Sequence, residues 1–428
     1  MIPDRDAAPA TAAVDDDTPA GSRPLWRNRA YMLLWGGQLV SDLGGGVSGL
    51  AAPLLILALT NSPALAGVAG TVGALAYLIF ALPAGALIDR WDRKRVMMLC
   101  DAGRALSLVT VPIAAALGRL TVWQLYATTA VESSLYVFFS IAQVAALPRV
   151  VPREQLAAAS AQNTGGSVAA TILAPSVGGF LYQAAGRTVP FLADAVSYAA
   201  SVLSLALIRV PFQEQRTARP RRLRAEIAEG VAWLWRQPLI RYMAVLISGL
   251  RGVGAGQALV IIMLARHQHA SPAVIGLIFS IGGVGGVAGA FLAPSIQRRF
   301  SFGQVTITAL WVEALLWPCL ALAPNPLLLG LVVAGLSVMG PAANAVQLGY
   351  RLSLIPDHLQ GRVNSAFRLL AHACEPVGAA GTGILLEKAG GVATALIFSA
   401  VIVGLAVVTT LNGQVRTADV SAHGTAAS

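Results

Sequence analysis

Long apolar stretches alternate with short polar interruptions along almost the whole chain. A hydrocarbon core roughly 30 Å thick is crossed by a helix of about 20 apolar residues. The pattern therefore predicts an all-α polytopic membrane protein with twelve transmembrane helices. The predicted spans are residues 29–57, 64–88, 96–117, 121–147, 155–185, 189–208, 239–265, 272–297, 303–323, 325–350, 361–386 and 390–411.

The composition agrees with a chain that lies mostly in lipid. Of its 428 residues, 56% are hydrophobic and 12% are charged, and the mean hydropathy is +0.68. These values exclude a water-soluble domain of this size. Most of the 30 lysines and arginines fall in the tails and the even-numbered loops, so the positive-inside rule predicts that both termini are cytoplasmic. Only four fall on the opposite side, namely Arg119, Arg187, Arg266 and Lys388. Topology and attraction to anionic lipid thus explain the net charge of +10, and we expect no nucleic acid partner.

The polar interruptions also divide the chain into domains. Residues 1–28 and 412–428 are predicted to be disordered cytoplasmic tails, and the first contains no signal peptide core. Residues 29–208 and 239–411 are predicted to form two six-helix bundles, joined by a cytoplasmic linker at 209–238. The linker contains an amphipathic helix that we expect in the lipid headgroup layer, with binding of a calmodulin-like partner as the alternative. Its apolar face is Leu223, Ile227, Val231, Leu234 and Trp235.

The two halves repeat each other. Val151-Pro-Arg-Glu-Gln-Leu156 precedes the fifth span, and Ile355-Pro-Asp-His-Leu359 precedes the eleventh. The second span ends in Ala84-Gly-Ala-Leu87, and the eighth ends in Ala288-Gly-Ala-Phe291. A duplication of six plus six helices is typical of transporters whose site lies near the bilayer midplane between the halves.

Two segments carry more specific signals. The loop after the second span, Gly85-Ala-Leu-Ile-Asp-Arg-Trp-Asp-Arg-Lys-Arg95, combines acids and bases. Gly85 permits close helix approach, and Asp89 can accept hydrogen bonds from Arg93 or from the N-terminus of a neighbouring helix. In the fifth span, Ala174-Pro-Ser-Val-Gly-Gly179 holds a helix-bending proline next to small residues that favour close packing.

These segments resemble motif A and the antiporter motif C of the major facilitator superfamily. The resemblance covers residues 25 to 412, although Asp92 replaces a usual glycine, and alanines replace motif C glycines at 161, 170 and 174. It implies that the first segment is a cytoplasmic gate and that the second accompanies export. The implied gate residues are Gly85, Asp89, Arg93 and Lys94, and the implied antiporter residues are Pro175, Gly178 and Gly179.

Further segments resemble the transmembrane secretion effector branch of that superfamily, which includes enterobactin and macrolide exporters. They are Ala145-Ala-Leu-Pro-Arg-Val-Val-Pro-Arg-Glu-Gln-Leu156, Asp101-Ala-Gly-Arg104, Glu229-Gly-Val-Ala-Trp-Leu-Trp-Arg-Gln-Pro238 and Gly361-Arg-Val-Asn-Ser365. The branch commonly has an acid where this chain has Gly45, and Asp42 lies about one helical turn earlier.

Ionisable residues inside the bilayer cost at least about 2.5–3.5 kcal/mol, so they mark cavities or pairs. Asp42 lies on the first span, Glu132 on the fourth and Arg251 on the seventh, and the tenth offers Asn344 and Gln347. The resemblance implies that these four spans surround a central cavity. We expect Asp42 and Glu132 to exchange protons and Arg251 to pair with one of them or to bind an anionic group of the substrate. A static salt bridge between the halves is the alternative.

Two further pairs are candidates for smaller roles. Asp101 and Arg104, one turn apart, are expected to brace the gate. His372 and Glu375 share a helical face and suit either a second proton relay or a packing pair.

Other classes fit less well. The only lysines, Lys94 and Lys388, follow no phosphate loop. Gly46-Val-Ser-Gly49 resembles the nucleophile segment of intramembrane serine proteases but has no partner histidine, so we expect no enzyme. The cysteines lack the spacing of a metal site, and we expect no cofactor.

The hypothesis is a monomeric secondary transporter in the cell membrane that exports a small amphipathic molecule by proton antiport. Proton-coupled uptake and a non-transporting receptor or scaffold are the alternatives. Uptake is distinguished from export by the direction of proton movement. A receptor or scaffold is distinguished by whether the charges of Asp42 and Glu132 are dispensable.

Overall fold

The computed structural model describes residues 24–213, 223–356 and 359–416. Most of the two predicted disordered tails, together with most of the basic run of the linker, lies outside these ranges. All regular elements in the described ranges are helices. They are α1 Arg29–Thr60, α2 Pro63–Ile88, α3 Arg93–Ala116, α4 Val122–Val150, α5 Leu156–Ala184, α6 Val189–Leu207, α7 Leu223–Arg236, α8 Pro238–His267, α9 Pro272–Arg299, α10 Phe302–Leu322, α11 Pro326–Leu354, α12 Gln360–His372, α13 Glu375–Leu411 and α14 Gly413–Arg416.

The polar residues between apolar stretches begin many of these helices. A side-chain oxygen at the residue before the helix accepts a hydrogen bond from a backbone N–H of the first turn, which has no partner within the helix. The residues that cap in this way are Asn28, Ser62, Asp92, Thr121, Ser271, Ser301 and Asn325. The interruptions of the hydropathy pattern are therefore also the start signals of the helices.

Eleven helical segments among the described residues are long and apolar enough to cross a membrane. The last segment, Gln360–Leu411, contains 52 residues and covers two predicted spans. Its chain turns at Gly390, where φ is 78° and ψ is 174°, a conformation that glycine adopts readily. The twelve predicted spans are thus present, and the eleventh and twelfth meet at this turn.

The first six spans pack on one another, and so do the last six. The two bundles meet along α2 with α13 and along α5 with α9. We call the side that holds the start of α1 the terminal face, and the side that holds its end the opposite face.

The seam between the bundles lies toward the opposite face. Glycines bring the backbones together there: Gly67 of α2 lies against Gly383 of α13, and Gly276 of α9 lies against the Pro175 carbonyl of α5. Ser62 Oγ also donates a hydrogen bond to the Glu387 carboxylate. The bundles are therefore in contact near the opposite face.

The linker helix α7 packs on protein, which corrects the prediction for part of its apolar face. Leu234 is fully buried in a cluster with residues of α8 and α12, whereas Trp235 is half exposed. The Arg362 guanidinium donates to the Glu229 carboxylate at 2.5 Å. The headgroup placement is wrong for Leu234, because α12 offers an apolar protein surface in place of lipid.

Candidate functional site

A cavity with two lobes lies between the bundles. The polar lobe has a volume of about 580 Å³ and is lined by side chains that include Tyr77, Tyr136 and Arg251. The apolar lobe has a volume of about 300 Å³ and is lined mostly by Gly, Ala, Leu and Phe. Glu132 lines both lobes and stands at their junction. One acidic residue therefore borders both the wide polar space and the narrower apolar one.

The structure brings some predicted site residues to this cavity and leaves others out. Glu132 and Arg251 line the polar lobe. Gln347 instead lines a separate crevice with Tyr242 and Phe302, and Asn344 is exposed on α11 and lines neither lobe. The structure thus does not place Asn344 and Gln347 at the cavity, because the rotation of α11 turns them toward other surroundings.

Arg104 holds a buried cluster at the wall of the cavity. Its guanidinium donates to Glu132 Oε1 at 2.7 Å, to Asp101 Oδ1 at 3.3 Å and to the Tyr198 hydroxyl. The Tyr198 hydroxyl donates to Glu132 Oε1 at 3.1 Å. Two carboxylates thus share one guanidinium. The expected role of Asp101 and Arg104 as braces of the gate is wrong in this structure, because Arg104 reaches α4 and α6 instead.

Arg251 has a different partner from those predicted. Its Nη1 lies 3.2 Å from Glu375 Oε1, so the predicted pairing with Glu132 or Asp42 is wrong in this structure. His372 Nδ1 lies 2.9 Å from the same Glu375 oxygen. The ring centroids of His372 and Tyr77 are 4.5 Å apart, which brings this cluster of the second half against α2.

The cluster around Glu375 sits at a break in the eleventh span. Helix α12 ends at His372 and α13 begins at Glu375, so the two residues predicted to share one helical face meet across the break. A carboxylate in the first turn of α13 is favoured by the helix dipole. The break therefore places an acid, a histidine and Arg251 together on the cavity wall.

Asp42 lies on α1 and is partly buried. It accepts a hydrogen bond from Ser167 Oγ of α5 at 2.9 Å. It lines neither lobe of the cavity, and its hydrogen bond to Ser167 lies within the first bundle.

Sequence reasoning missed Asp194 of α6, which is fully buried. Ser48 Oγ lies 2.5 Å from Asp194 Oδ2, and Ser197 Oγ lies 3.1 Å from Asp194 Oδ1. The signal was an acid inside an apolar span, as for Asp42. Asp194 lies within two turns of residue 189, the predicted start of the sixth span, so the sequence pattern suggested a position at the membrane–water interface.

The predicted gate loop braces the first bundle in this structure. Asp89 and Arg93 lie 3.9 Å apart, Arg93 Nη1 donates to the Ala145 carbonyl at 2.8 Å, and Lys94 Nζ donates to the Ile208 carbonyl at 2.6 Å. An added Cβ at Gly85 would meet no atom within 4 Å. The close approach expected at Gly85 is therefore not made in this conformation.

The proline and glycines of α5 lie at the seam. A Cβ at Gly178 would lie 2.8 Å from the Val47 carbonyl oxygen of α1, and Gly179 lies against the Pro272 backbone of α9. Ser176 and Ser280 hydroxyls are hydrogen bonded across the seam at 2.6 Å. Small residues here allow three helices to meet, as their spacing suggested.

The chain resembles known proteins over most of its length. The profile of the transmembrane secretion effector family matches residues 21–427. The multidrug efflux pump Tap of Mycolicibacterium fortuitum is 27% identical over 399 residues, which cover 91% of this chain and 97% of that protein. The enterobactin exporter EntS of Citrobacter koseri is 25% identical over 390 residues, covering 90% of this chain and 92% of that one.

The fold is shared with solved transporters. The crystal structure of the nucleoside transporter NupG superposes with a TM-score of 0.72 at 15% identity, covering 89% of this chain and 98% of that one. At this identity the likeness shows the fold alone, while the family match extends over nearly the entire sequence. The chain therefore belongs to the transmembrane secretion effector family of major facilitator superfamily transporters.

Proposed function

We propose that this transporter exports a small amphipathic molecule, such as a drug or a siderophore-like metabolite, in exchange for protons. The observation that carries the proposal is the position of Glu132. Glu132 lines both lobes of the cavity, and its carboxyl group contacts the buried Arg104 cluster. A substrate in the cavity and a proton on Glu132 would therefore compete for the same place. The similarity to the multidrug efflux pump Tap and the enterobactin exporter EntS supports export.

The basic residues of the tails and even-numbered loops support a cytoplasmic terminal face. With this orientation the seam closes the outer side, and the structure represents an inward-open state. The cavity would then receive substrate from the cytoplasm or the inner leaflet. The apolar lobe suits an apolar body, and the polar lobe suits a charged or hydrogen-bonding group near Arg251 and Glu375.

Alternating access then follows from the two contacts between the bundles. When the seam at α2–α13 and α5–α9 parts, the cavity opens to the outside, and the terminal face has to close. The loop with Asp89, Arg93 and Lys94 is the proposed latch of that closed terminal face. Asp42, on the same bundle, remains a candidate for proton exchange.

The test uses everted membrane vesicles with an acidic lumen. Ethidium, erythromycin and enterobactin are offered in turn, and we expect the wild-type protein to accumulate at least one of them in the lumen while protons leave. Glu132→Gln should lose accumulation against the gradient, whereas the control variant Asn344→Ala, at a residue that lines neither lobe, should retain it.

Each alternative predicts a different result in these vesicles. Movement of substrate and protons in the same direction would support uptake. Accumulation that survives collapse of the proton gradient would contradict proton antiport. Unchanged accumulation in both Asp42→Asn and Glu132→Gln would refute the assignment of these carboxyl groups.

A further inference from the structure

The Asp194 carboxyl group is buried in the first bundle without a basic partner. Its exposed fraction is 0%, and among the described residues no lysine, arginine or histidine forms an ion pair with it. Its neighbours are the hydroxyls of Ser48 and Ser197. An isolated carboxylate in such a place is costly, because desolvation disfavours the charged form.

The hydroxyl groups around Asp194 accommodate an additional hydrogen. A serine hydroxyl has a single hydrogen to donate. Ser48 Oγ lies 3.2 Å from the Gly45 carbonyl of its own helix and 2.5 Å from Asp194 Oδ2. The Gly45 carbonyl can only accept, so both contacts are hydrogen bonds only when Ser48 donates to Gly45 and the Asp194 carboxyl group donates to Ser48. The chain of donors then runs from Asp194 to Ser48 to the Gly45 carbonyl.

The charges around Asp194 favour the same protonation state. The guanidinium near Asp194 among the described residues, that of Arg104, is already shared by Asp101 and Glu132, and Tyr198 is hydrogen bonded to that cluster. Asp101 and Glu132 together already exceed the single positive charge of Arg104, and an ionised Asp194 would add to this excess in a low dielectric. The titratable groups that surround this cluster include Asp42 on α1, Asp101 and Arg104 on α3, Glu132 and Tyr136 on α4 and Tyr198 on α6.

Ser48 connects this buried carboxyl group with the cavity. Ser48 lines the apolar lobe, as do Gly45 of the same helix and Phe191 of α6. Asp194 itself does not line either lobe. A proton that moves between the cavity and Asp194 therefore has a direct route through the Ser48 hydroxyl.

We propose that Asp194 is a second proton site of this transporter, loaded in the inward-open state and linked to the cavity by Ser48. On release, the Asp194 O–H bond breaks and its proton passes to Ser48 Oγ. The hydrogen of Ser48 passes to a water molecule in the cavity, which becomes hydronium, so the serine ends with one hydrogen and Asp194 ends as a carboxylate. The inference rests on the proposed proton-coupled export and adds a site to it.

The first experiment needs no substrate. Infrared spectra of the purified wild-type protein, with aspartate labelled by ¹³C, should contain the carbonyl stretch of a protonated aspartic acid at neutral pH. Asp194→Asn should remove a component of this band, to which Asp42 can also contribute, and the asparagine keeps the shape of the neutral acid. Glu154→Gln, at an exposed carboxyl group outside the spans, is the control and should leave the spectrum unchanged. A wild-type spectrum without the band, or an Asp194→Asn spectrum with a band identical to that of the wild type, overturns the proposal.

Ser48→Ala provides a second test that does not depend on the folding of Asp194→Asn. The variant should keep the band but shift it to higher frequency, because the carboxyl group loses its acceptor. An unshifted band would show that the protonated group is not the one next to Ser48, and would also overturn the proposal.

The last experiment separates the second site from the proposed function. Protons released on addition of ethidium, erythromycin or enterobactin are counted with a pH indicator in weakly buffered detergent solution. Asp194→Asn should release one proton fewer per bound molecule than the wild type, and Ser48→Ala should release the wild-type number more slowly. Equal release by wild type and Asp194→Asn overturns the second site alone. A wild type that binds substrate and releases no protons refutes the antiport proposal instead.

Discussion

The seam between the bundles gives a prediction whose size follows from the structure. Gly276 of α9 is buried against α5. A Cβ at this position would lie 2.9 Å from the Pro175 carbonyl carbon, 3.0 Å from Ser176 Cα and closer still to the Pro175 oxygen. All three are backbone atoms, which cannot move away by a change of rotamer. Gly276→Ala should therefore disfavour the closed seam.

Overpacking of this kind costs about 1–3 kcal/mol. The cost applies only while the seam is closed, because α5 and α9 would separate in the proposed outward-open state. Since about 1.4 kcal/mol changes an equilibrium tenfold, the ratio of open to closed seams should rise about 5-fold to 140-fold.

The assay measures the exposure of Ser176, whose hydroxyl contacts Ser280 across the seam at 2.6 Å. Ser176→Cys is made in a background in which the three native cysteines are replaced, and a membrane-impermeant maleimide is added from the outside. The labelling rate should rise in Gly276→Ala by a factor within the range given above. The native cysteines to be replaced are Cys100, Cys319 and Cys374.

The control is Gly286→Ala on the same helix, where an added Cβ meets no atom within 4 Å. Its labelling rate should equal that of the parent protein. If Gly276→Ala labels no faster than Gly286→Ala, the reasoning is refuted, because the seam then accommodates the methyl group without opening.

Three further predictions concern the gate loop, the Arg104 cluster and the turn at Gly390. Asp89→Asn should slow vesicle transport because the latch loses its acid, while Ala293→Ser at the corresponding position of the second half should not; equal wild-type rates in both would reduce the loop to a topology signal. Arg104→Met should lower the free energy of unfolding by about 3–5 kcal/mol, because buried carboxylates lose their cation; an unchanged unfolding midpoint in denaturant titrations would contradict the cluster. Gly390→Ala should lower the free energy of unfolding by about 1–3 kcal/mol, because alanine is strained at a φ of 78°. Gly404→Ala, in an open helical position, should not lower it. The same titrations compare the two variants, and equal stability would exclude strain at the turn.

The sequence by itself determined the number, order and approximate limits of the spans. Burial of backbone polar groups in lipid requires long apolar helices, and polar caps such as Ser62 and Ser271 mark where they start. It also identified the small residues of the fifth span as packing positions. Both signals are local, because they depend on hydropathy and side-chain size along one stretch of chain.

Only the tertiary structure decided the partners of the charged residues. Arg104 rather than Arg251 pairs with Glu132, Arg251 pairs with Glu375 across a helix break, and Asp194 lies behind Ser48. A helical pattern shows which residues share a face, but it does not show which face of another helix they meet. That choice depends on the rotation and depth of each helix in the bundle, which are set by packing between distant parts of the chain.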